Sequence, residues 1–159
     1  MLHFACRMAG CKLKPSHVYC DFEKGLINAV CEYFPDAHIV GCLFHFKQAL
    51  RRRMITKLKI DKDQVDMAME KNCLDILTIM PKAEIKKKGM PHIKQVISTI
   101  EMTKEDEEKW ELFWAYFEKF WCSSDEFIAC WNIHDETKKG KKGDEYYDLH
   151  NRTNNGMER

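Results

Sequence analysis

The stretch from His17 to Leu50 constrains the fold of this chain more than any other part of the sequence. It begins with a short apolar run that ends at Asp21, and apolar residues then recur at helical spacing as far as Tyr33. A Phe-Pro-Asp break, a second apolar run at His38–Val40 and a second helical pattern follow. The order strand, helix, strand, helix predicts a parallel pair of strands joined by a right-handed crossover.

Two candidate site motifs follow these two predicted strands. Asp21 ends the first strand, and the carboxyl ends of parallel strands are where open α/β sheets place their chemistry. Cys42 and His45 follow the second strand with a spacing that puts both side chains on one helix face. The plainer interpretation makes Asp21 a cap for the next helix, and Cys42 a buried thiol beside a hydrogen-bonded His45. Two ligands alone do not complete a structural zinc site, which needs four.

The composition is typical of an ordinary globular protein whose net charge is too small to attract nucleic acid over a distance. The 159 residues carry a net charge of +1, so any DNA contact must come from a local patch. No apolar run reaches the length of about 18 residues that a membrane span needs, so no membrane partner is expected. The eight cysteines form no CxxC pair, which favours reduced thiols in an intracellular protein. The basic residues of the second predicted helix are expected to form a single helix face for phosphate, alongside the default of a solvated surface: Lys47, Arg51, Arg52, Arg53, Lys57 and Lys59.

The remainder of the chain is predicted to be mostly helical. The second helix of the core is expected to run to about Lys59, and Glu84 to Met90 is interpreted as a charged connector. Thr103 is a candidate N-cap, and Ser123 is predicted to open a later helix in a capping box. Between them lies an aromatic stripe, interpreted as core, with stacking on an unpaired base as the sharper alternative: Trp110, Phe113, Trp114, Phe117, Phe120 and Trp121.

Two motifs give the sequence a family resemblance. The run VYCDFEKGLINAVCEYFPDAHIVGCLFHFKQALRRRM resembles the catalytic core of a Mutator-like element (MULE) transposase, which has D-F-E after a strand, F-P after a helix and G-C-x-F-H after the next strand. The tail Arg152–Glu158 is similar to the family's R-T-N-N-x-x-E. The two motifs occur in the family's order, and together they span most of the chain.

The resemblance implies a fold of the α+β class that is predominantly helical. It would be a truncated ribonuclease-H-like core, with two parallel strands and flanking helices, interrupted by a helical insertion. On this view residues 1–60 form the partial core, with strands near 17–21 and 37–42, and residues 61–135 form the insertion. Residues 136–152 are then a polar loop, and 153–159 start the returning catalytic helix.

The resemblance also implies a site for metal-dependent DNA cleavage and strand transfer. Asp21 would be the second catalytic acid and Glu158 the third, both binding Mg²⁺ or Mn²⁺. Cys42 and His45 would assist catalysis by positioning DNA, and the basic residues of the second helix would contact the transposon ends. A nuclear location follows from the same resemblance.

The family's first catalytic Asp and its first three strands lie upstream of the motifs present here. This difference predicts a fragment that binds metal weakly or not at all and is inactive alone. It also predicts an open sheet edge with a tendency to form homo-oligomers. Two other functions stay open: a domesticated, non-catalytic DNA- or protein-binding module of the nucleus, and an unrelated helical interaction domain.

Overall fold

A computed structural model describes residue 10 and residues 12–135, and these are mostly helical with one small parallel sheet. The prediction of an α+β, predominantly helical chain is therefore confirmed. The predicted polar loop at 136–152, the returning helix at 153–159 and Glu158 lie outside the described residues.

The sheet consists of two strands that pair in parallel. Strand β1 spans His17–Cys20 and strand β2 spans His38–Gly41, with Cys20 opposite Gly41. Helix α1, Lys24–Tyr33, connects them. This pairing confirms the predicted order of strand, helix and parallel strand. Parallel neighbours need a crossover of about this length.

The second helix of the core changes its hydrogen-bonding pattern before it ends. Helix α2 spans Leu43–Arg52 and continues as a π-helical turn, Arg53–Lys57. The chain then leaves the helix through Lys59, which has a left-handed φ of 55°. The predicted end near Lys59 is close to this observed end.

The helices after residue 60 are short and irregular. They are α3 Lys62–Ala68, a 3₁₀ helix Leu74–Thr78, α4 Lys82–Glu84, a π-helix Ile85–Gly89, α5 Met90–Ile97, α6 Lys104–Tyr116, a π-helix Phe117–Trp121 and α7 Asp125–Trp131. None of the helices in the described part of the chain is long and apolar enough to cross a bilayer.

Two local predictions need correction and one is confirmed. The predicted charged connector is helical, since its residues continue from α4 through a π-helix and the buried Gly89 into α5. Pro91 does not interrupt α5, because it lies in the first turn, where a missing N–H costs little. The N-cap of α7 is Ser124 rather than Ser123, since the Ser124 hydroxyl accepts from the backbone N–H of Phe127. Thr103 caps α6 as predicted, in a capping box with Asp106.

One hydrophobic core joins the helices on both sides of residue 60. Phe46 and Leu50 of α2 belong to the same buried cluster as Trp114 of α6 and Trp131 of α7. The aromatic stripe is part of this core except for Phe120, which is 47% exposed. The core interpretation of the stripe is thus confirmed for five of its six residues.

Buried polar groups in this core have defined partners. The indole N–H of Trp110 donates to the Gln64 side chain at 2.8 Å, and both residues are buried. The side-chain amide of Asn132, 3% exposed, donates to the carbonyls of Leu77 and Met80 at 2.7 and 2.9 Å. These hydrogen bonds offset the cost of removing polar groups from water and specify how the helices pack.

Candidate functional site

The two motifs that follow the strands lie at the same edge of the sheet. Asp21 comes directly after β1, and Cys42 comes directly after β2. The backbone N–H of Cys42 donates to the carbonyl of Cys20 at 2.8 Å, so the parallel ladder extends to the start of the second motif. Parallel pairing thus brings Asp21 close to the first residue of the Cys42–His45 motif.

Asp21 orders the turn that leads into α1. Its Oδ1 accepts a hydrogen bond from the backbone N–H of Glu23 at 3.1 Å, and the side chain is partly exposed. Glu23 is the N-cap residue of α1 and makes no side-chain cap. The interpretation of Asp21 as the helix cap is therefore wrong, because its bond is made one position before the first helical residue.

Phe22, the residue after Asp21, packs its ring against the aromatic core. The sequence patterns did not indicate this contact. The Phe22 ring contacts Phe46, Trp121 and Phe127 at centroid distances of 6.5, 5.0 and 6.2 Å. A side chain at Gly41 would overlap this ring, because an added Cβ would lie 2.3 Å from it. A glycine that ends an apolar strand is the sequence signal of such a close approach.

Cys42 and His45 occupy the first turn of α2. Cys42 is its N-cap residue, is 2% exposed and makes no side-chain cap. The Nδ1 atom of His45 is buried and has no hydrogen-bond partner within the described residues. The interpretation of His45 as a hydrogen-bonded core histidine therefore does not hold for this nitrogen, which is free for a partner outside the described part of the chain.

Cys20 also lies at this edge of the sheet, and its own thiol is protonated. Burial, with a smaller contribution from the Asp21 carboxylate, raises the pKa of Cys20 from its ordinary value of 9.0 to about 11. The thiolate is the form that attacks electrophiles and binds metals. Cys20 is thus neutral near pH 7 and a poor nucleophile. The six described cysteines are all free thiols.

The basic residues of α2 do not form a single face. Lys47 donates to the carbonyl of Met69 at 3.1 Å, and Arg51 forms an ion pair with Asp66 at 2.6 Å. Both contacts lie on the side of α3, whereas Arg53 lies 4.5 Å above the ring of Tyr116 in α6. The expectation of one continuous basic face is wrong, because consecutive helical positions are rotated by about 100°.

Arg52 is exposed, unlike its partly buried neighbours Arg51 and Arg53. It is therefore the residue of the arginine run whose position best suits contact with an external phosphate.

The described residues do not make a metal centre on their own. No group of three or more His, Cys, Asp or Glu side chains suited to a metal ion occurs among residue 10 and residues 12–135. Of the two predicted metal ligands, Asp21 lies at the sheet edge and Glu158 is outside the described residues. Asp21 alone does not satisfy Mg²⁺, which needs near-octahedral oxygen coordination.

No family model matches this sequence, and neither the search of curated proteins nor the search of solved structures gave a match.

Proposed function

We propose that this chain is part of the catalytic core of a MULE-type DNA transposase, a class of enzyme that performs metal-dependent DNA cleavage and strand transfer. The proposal rests on one observation above all. A parallel β-α-β unit carries Asp21 after its first strand and the Cys42–His45 motif after its second, at one sheet edge. A ribonuclease-H-like arrangement of this unit, with residues 61–135 as an insertion, belongs to the proposal.

The residues at the sheet edge have separable roles in this function. Asp21 supplies one carboxylate for Mg²⁺ or Mn²⁺, and the turn that it forms with Glu23 holds that carboxylate at the strand end. Glu158 supplies a second carboxylate in the proposal. His45 positions DNA through its ring, and the buried Nδ1 without a described partner supports a role in binding. Cys42 anchors the start of the helix that carries His45.

A second candidate function is a non-catalytic module that binds DNA or another protein. An exposed row along α6 and the turn that follows it favours this candidate: Leu112 and Phe120 are 58% and 47% exposed, with Tyr116 between them. Both candidates act in the nucleus, and DNA binding by either one uses the exposed Arg52 for phosphate contact.

A Mn²⁺ titration of the isotopically labelled full chain tests the transposase proposal by NMR. Paramagnetic Mn²⁺ broadens the amide signals of nearby residues, so even weak binding is visible. We expect the signals next to Asp21 and those next to Glu158 to broaden together. Asp21→Asn is expected to abolish both effects, because it removes the charge that attracts the ion.

Asp61→Asn is the matched control for this titration. Asp61 accepts from the backbone N–H of Asp63 at 2.9 Å, in the same two-residue geometry that joins Asp21 to Glu23, but it lies at the start of α3. Broadening next to only one of the two acids, or broadening that survives Asp21→Asn, would contradict a shared metal site.

A further inference from the structure

The one aromatic residue of the stripe that the core leaves exposed belongs to an ordered stack. Phe120 and Tyr116 are nearly parallel, with their planes at 12° and their ring centroids 5.6 Å apart. The guanidinium carbon of Arg53 lies 4.5 Å from the centroid of Tyr116. Arg53, Tyr116 and Phe120 thus form a cluster, which we call the aromatic platform, in which Tyr116 contacts both the cation and the exposed ring.

The Phe120 ring is held in place even though it is exposed. It meets Trp121 edge to face at a centroid distance of 5.2 Å, and Phe127 at 5.7 Å. An exposed aromatic residue on a loop would lose rotamer freedom when it bound a ligand, whereas this ring is already ordered by its neighbours. The platform therefore presents a flat apolar surface with little entropic cost for a partner that stacks.

Three basic residues lie at or beside the platform and suit the phosphates of a polyanion. Arg53 contacts the Tyr116 ring, and the adjacent Arg52 is exposed. Lys119, also exposed, lies one helical turn from Tyr116. A nucleotide combines a flat ring with a phosphate, so it matches both the stacking surface and the cations.

Ring contacts connect the aromatic platform to the edge of the sheet that carries Asp21. Phe120 contacts Trp121 and Phe127, and both of these rings contact Phe22, the residue that follows Asp21. Two ring contacts therefore connect the platform to the strand end.

The geometry points to a binding site for an unpaired nucleobase at Phe120, with Tyr116 beneath the ring and Arg53 and Arg52 contacting the adjoining phosphates. A base inside a duplex has both faces covered by its neighbours, so the ligand class is single-stranded or locally unpaired nucleic acid. The inference rests on the proposed function only in taking nucleic acid as the ligand.

Fluorescence anisotropy with a labelled oligothymidylate of roughly 12 nucleotides tests this site, in buffer of about 50 mM salt. Phe120→Ala is expected to weaken binding by roughly 5-fold to 100-fold, the range that loss of one stacked base gives. Phe120→Leu is expected to weaken it similarly, because a leucine keeps the apolar surface but cannot stack. Phe120→Trp is expected to retain binding.

Ile79→Ala is the matched control, since Ile79 is 46% exposed, close to the 47% of Phe120, but has no ring and lies outside the platform. Its affinity for the oligonucleotide is expected to equal that of the unmodified chain. Circular dichroism of each variant confirms that it is folded. Equal binding by the unmodified chain and Phe120→Ala overturns the site, as does the absence of any oligonucleotide binding by the unmodified chain.

Two further comparisons distinguish a nucleobase site from a protein interface and from the metal site at Asp21. If Phe120→Ala and Leu112→Ala both abolish self-association in sedimentation while oligonucleotide binding is unchanged, the row is a protein interface and the nucleobase site is overturned. If Asp21→Asn leaves oligonucleotide binding intact and Phe120→Ala does not, the platform stands whatever the Mn²⁺ titration shows.

Discussion

At the residue scale, sequence patterns located Asp21 and Cys42 directly after the strands and His45 at the start of the next helix, but did not predict their hydrogen bonds. The ion pair of Arg51 with Asp66 depends on which helix lies beside α2, and a periodic pattern gives the apolar face of a helix without giving its neighbour. The same limit explains why the stack of Arg53 on Tyr116 was not foreseen. The Thr103 cap, which depends on one element alone, was predictable, whereas the caps assigned to Asp21 and Ser123 were wrong by one or two residues.

Asn132→Ala is expected to lower the free energy of unfolding by roughly 2–3 kcal/mol. The substitution removes one buried side-chain amide and leaves the carbonyls of Leu77 and Met80 without this donor. Urea denaturation measures the effect. Asn28→Ala, at an exposed position of α1, should change the same quantity by less than about 0.5 kcal/mol. Equal effects of the two substitutions would show that the Asn132 bonds contribute nothing to stability.

At the element scale, the strands and most helices follow from local patterns, whereas the boundaries do not. The apolar runs and the break at Pro35 predicted β1, α1 and β2, because strand and helix periods differ. The charged segment before α5 was misinterpreted, since its solvent-facing lysines obscure the apolar spacing of Ile85 and Gly89. The π-helical turns were not predictable, because each reflects tertiary packing rather than composition.

Gly41→Ala is expected to destabilise the chain by roughly 1–3 kcal/mol, the cost of overpacking a filled site. The added Cβ would lie 2.3 Å from the Phe22 ring and 3.0 Å from the carbonyl oxygen of Cys130, and that ring is wedged among other aromatic residues. Thermal unfolding followed by circular dichroism gives the change.

Gly25→Ala is the matched control for the Gly41 substitution. Gly25 lies in α1, and an added Cβ there would meet only a Glu23 side-chain oxygen at 3.9 Å. Alanine should therefore stabilise the helix by roughly 0.5–1 kcal/mol. A Gly41→Ala variant as stable as Gly25→Ala would mean that β2, Phe22 and α7 are less tightly packed than described.

At the scale of the whole molecule, the core crosses the boundary at residue 60 that the family resemblance implied. Phe46 of α2 stacks on Trp131 of α7 at 5.3 Å and contacts Trp121 at 4.8 Å. The sequence predicted that both regions carry apolar faces, but it did not show that these faces meet. Contacts between residues far apart in the chain carry no local signature, which is why this part of the fold could not be predicted.

Phe46→Ala is expected to destabilise the described fold by roughly 3–5 kcal/mol, and helix content and tryptophan environment should be lost in one transition. The buried ring joins α2 to both α7 and the turn at Trp121, so its loss weakens both regions together. Urea unfolding monitored by circular dichroism and tryptophan fluorescence measures this. Phe44→Ala, on the same helix and 38% exposed, is the control, with an expected cost below about 1 kcal/mol. Two separate transitions in the unmodified chain would contradict a single core.

The end of α7 has a consequence for any segment that continues the chain. Side-chain hydrogen bonds from Asn132 and His134 and a backbone bond from Ile133 attach this end to the carbonyls of residues 77–80. A fluorophore or fusion partner attached at Asp135 would therefore start from an end that four hydrogen bonds hold to residues 77–80, and not from a fraying helix end.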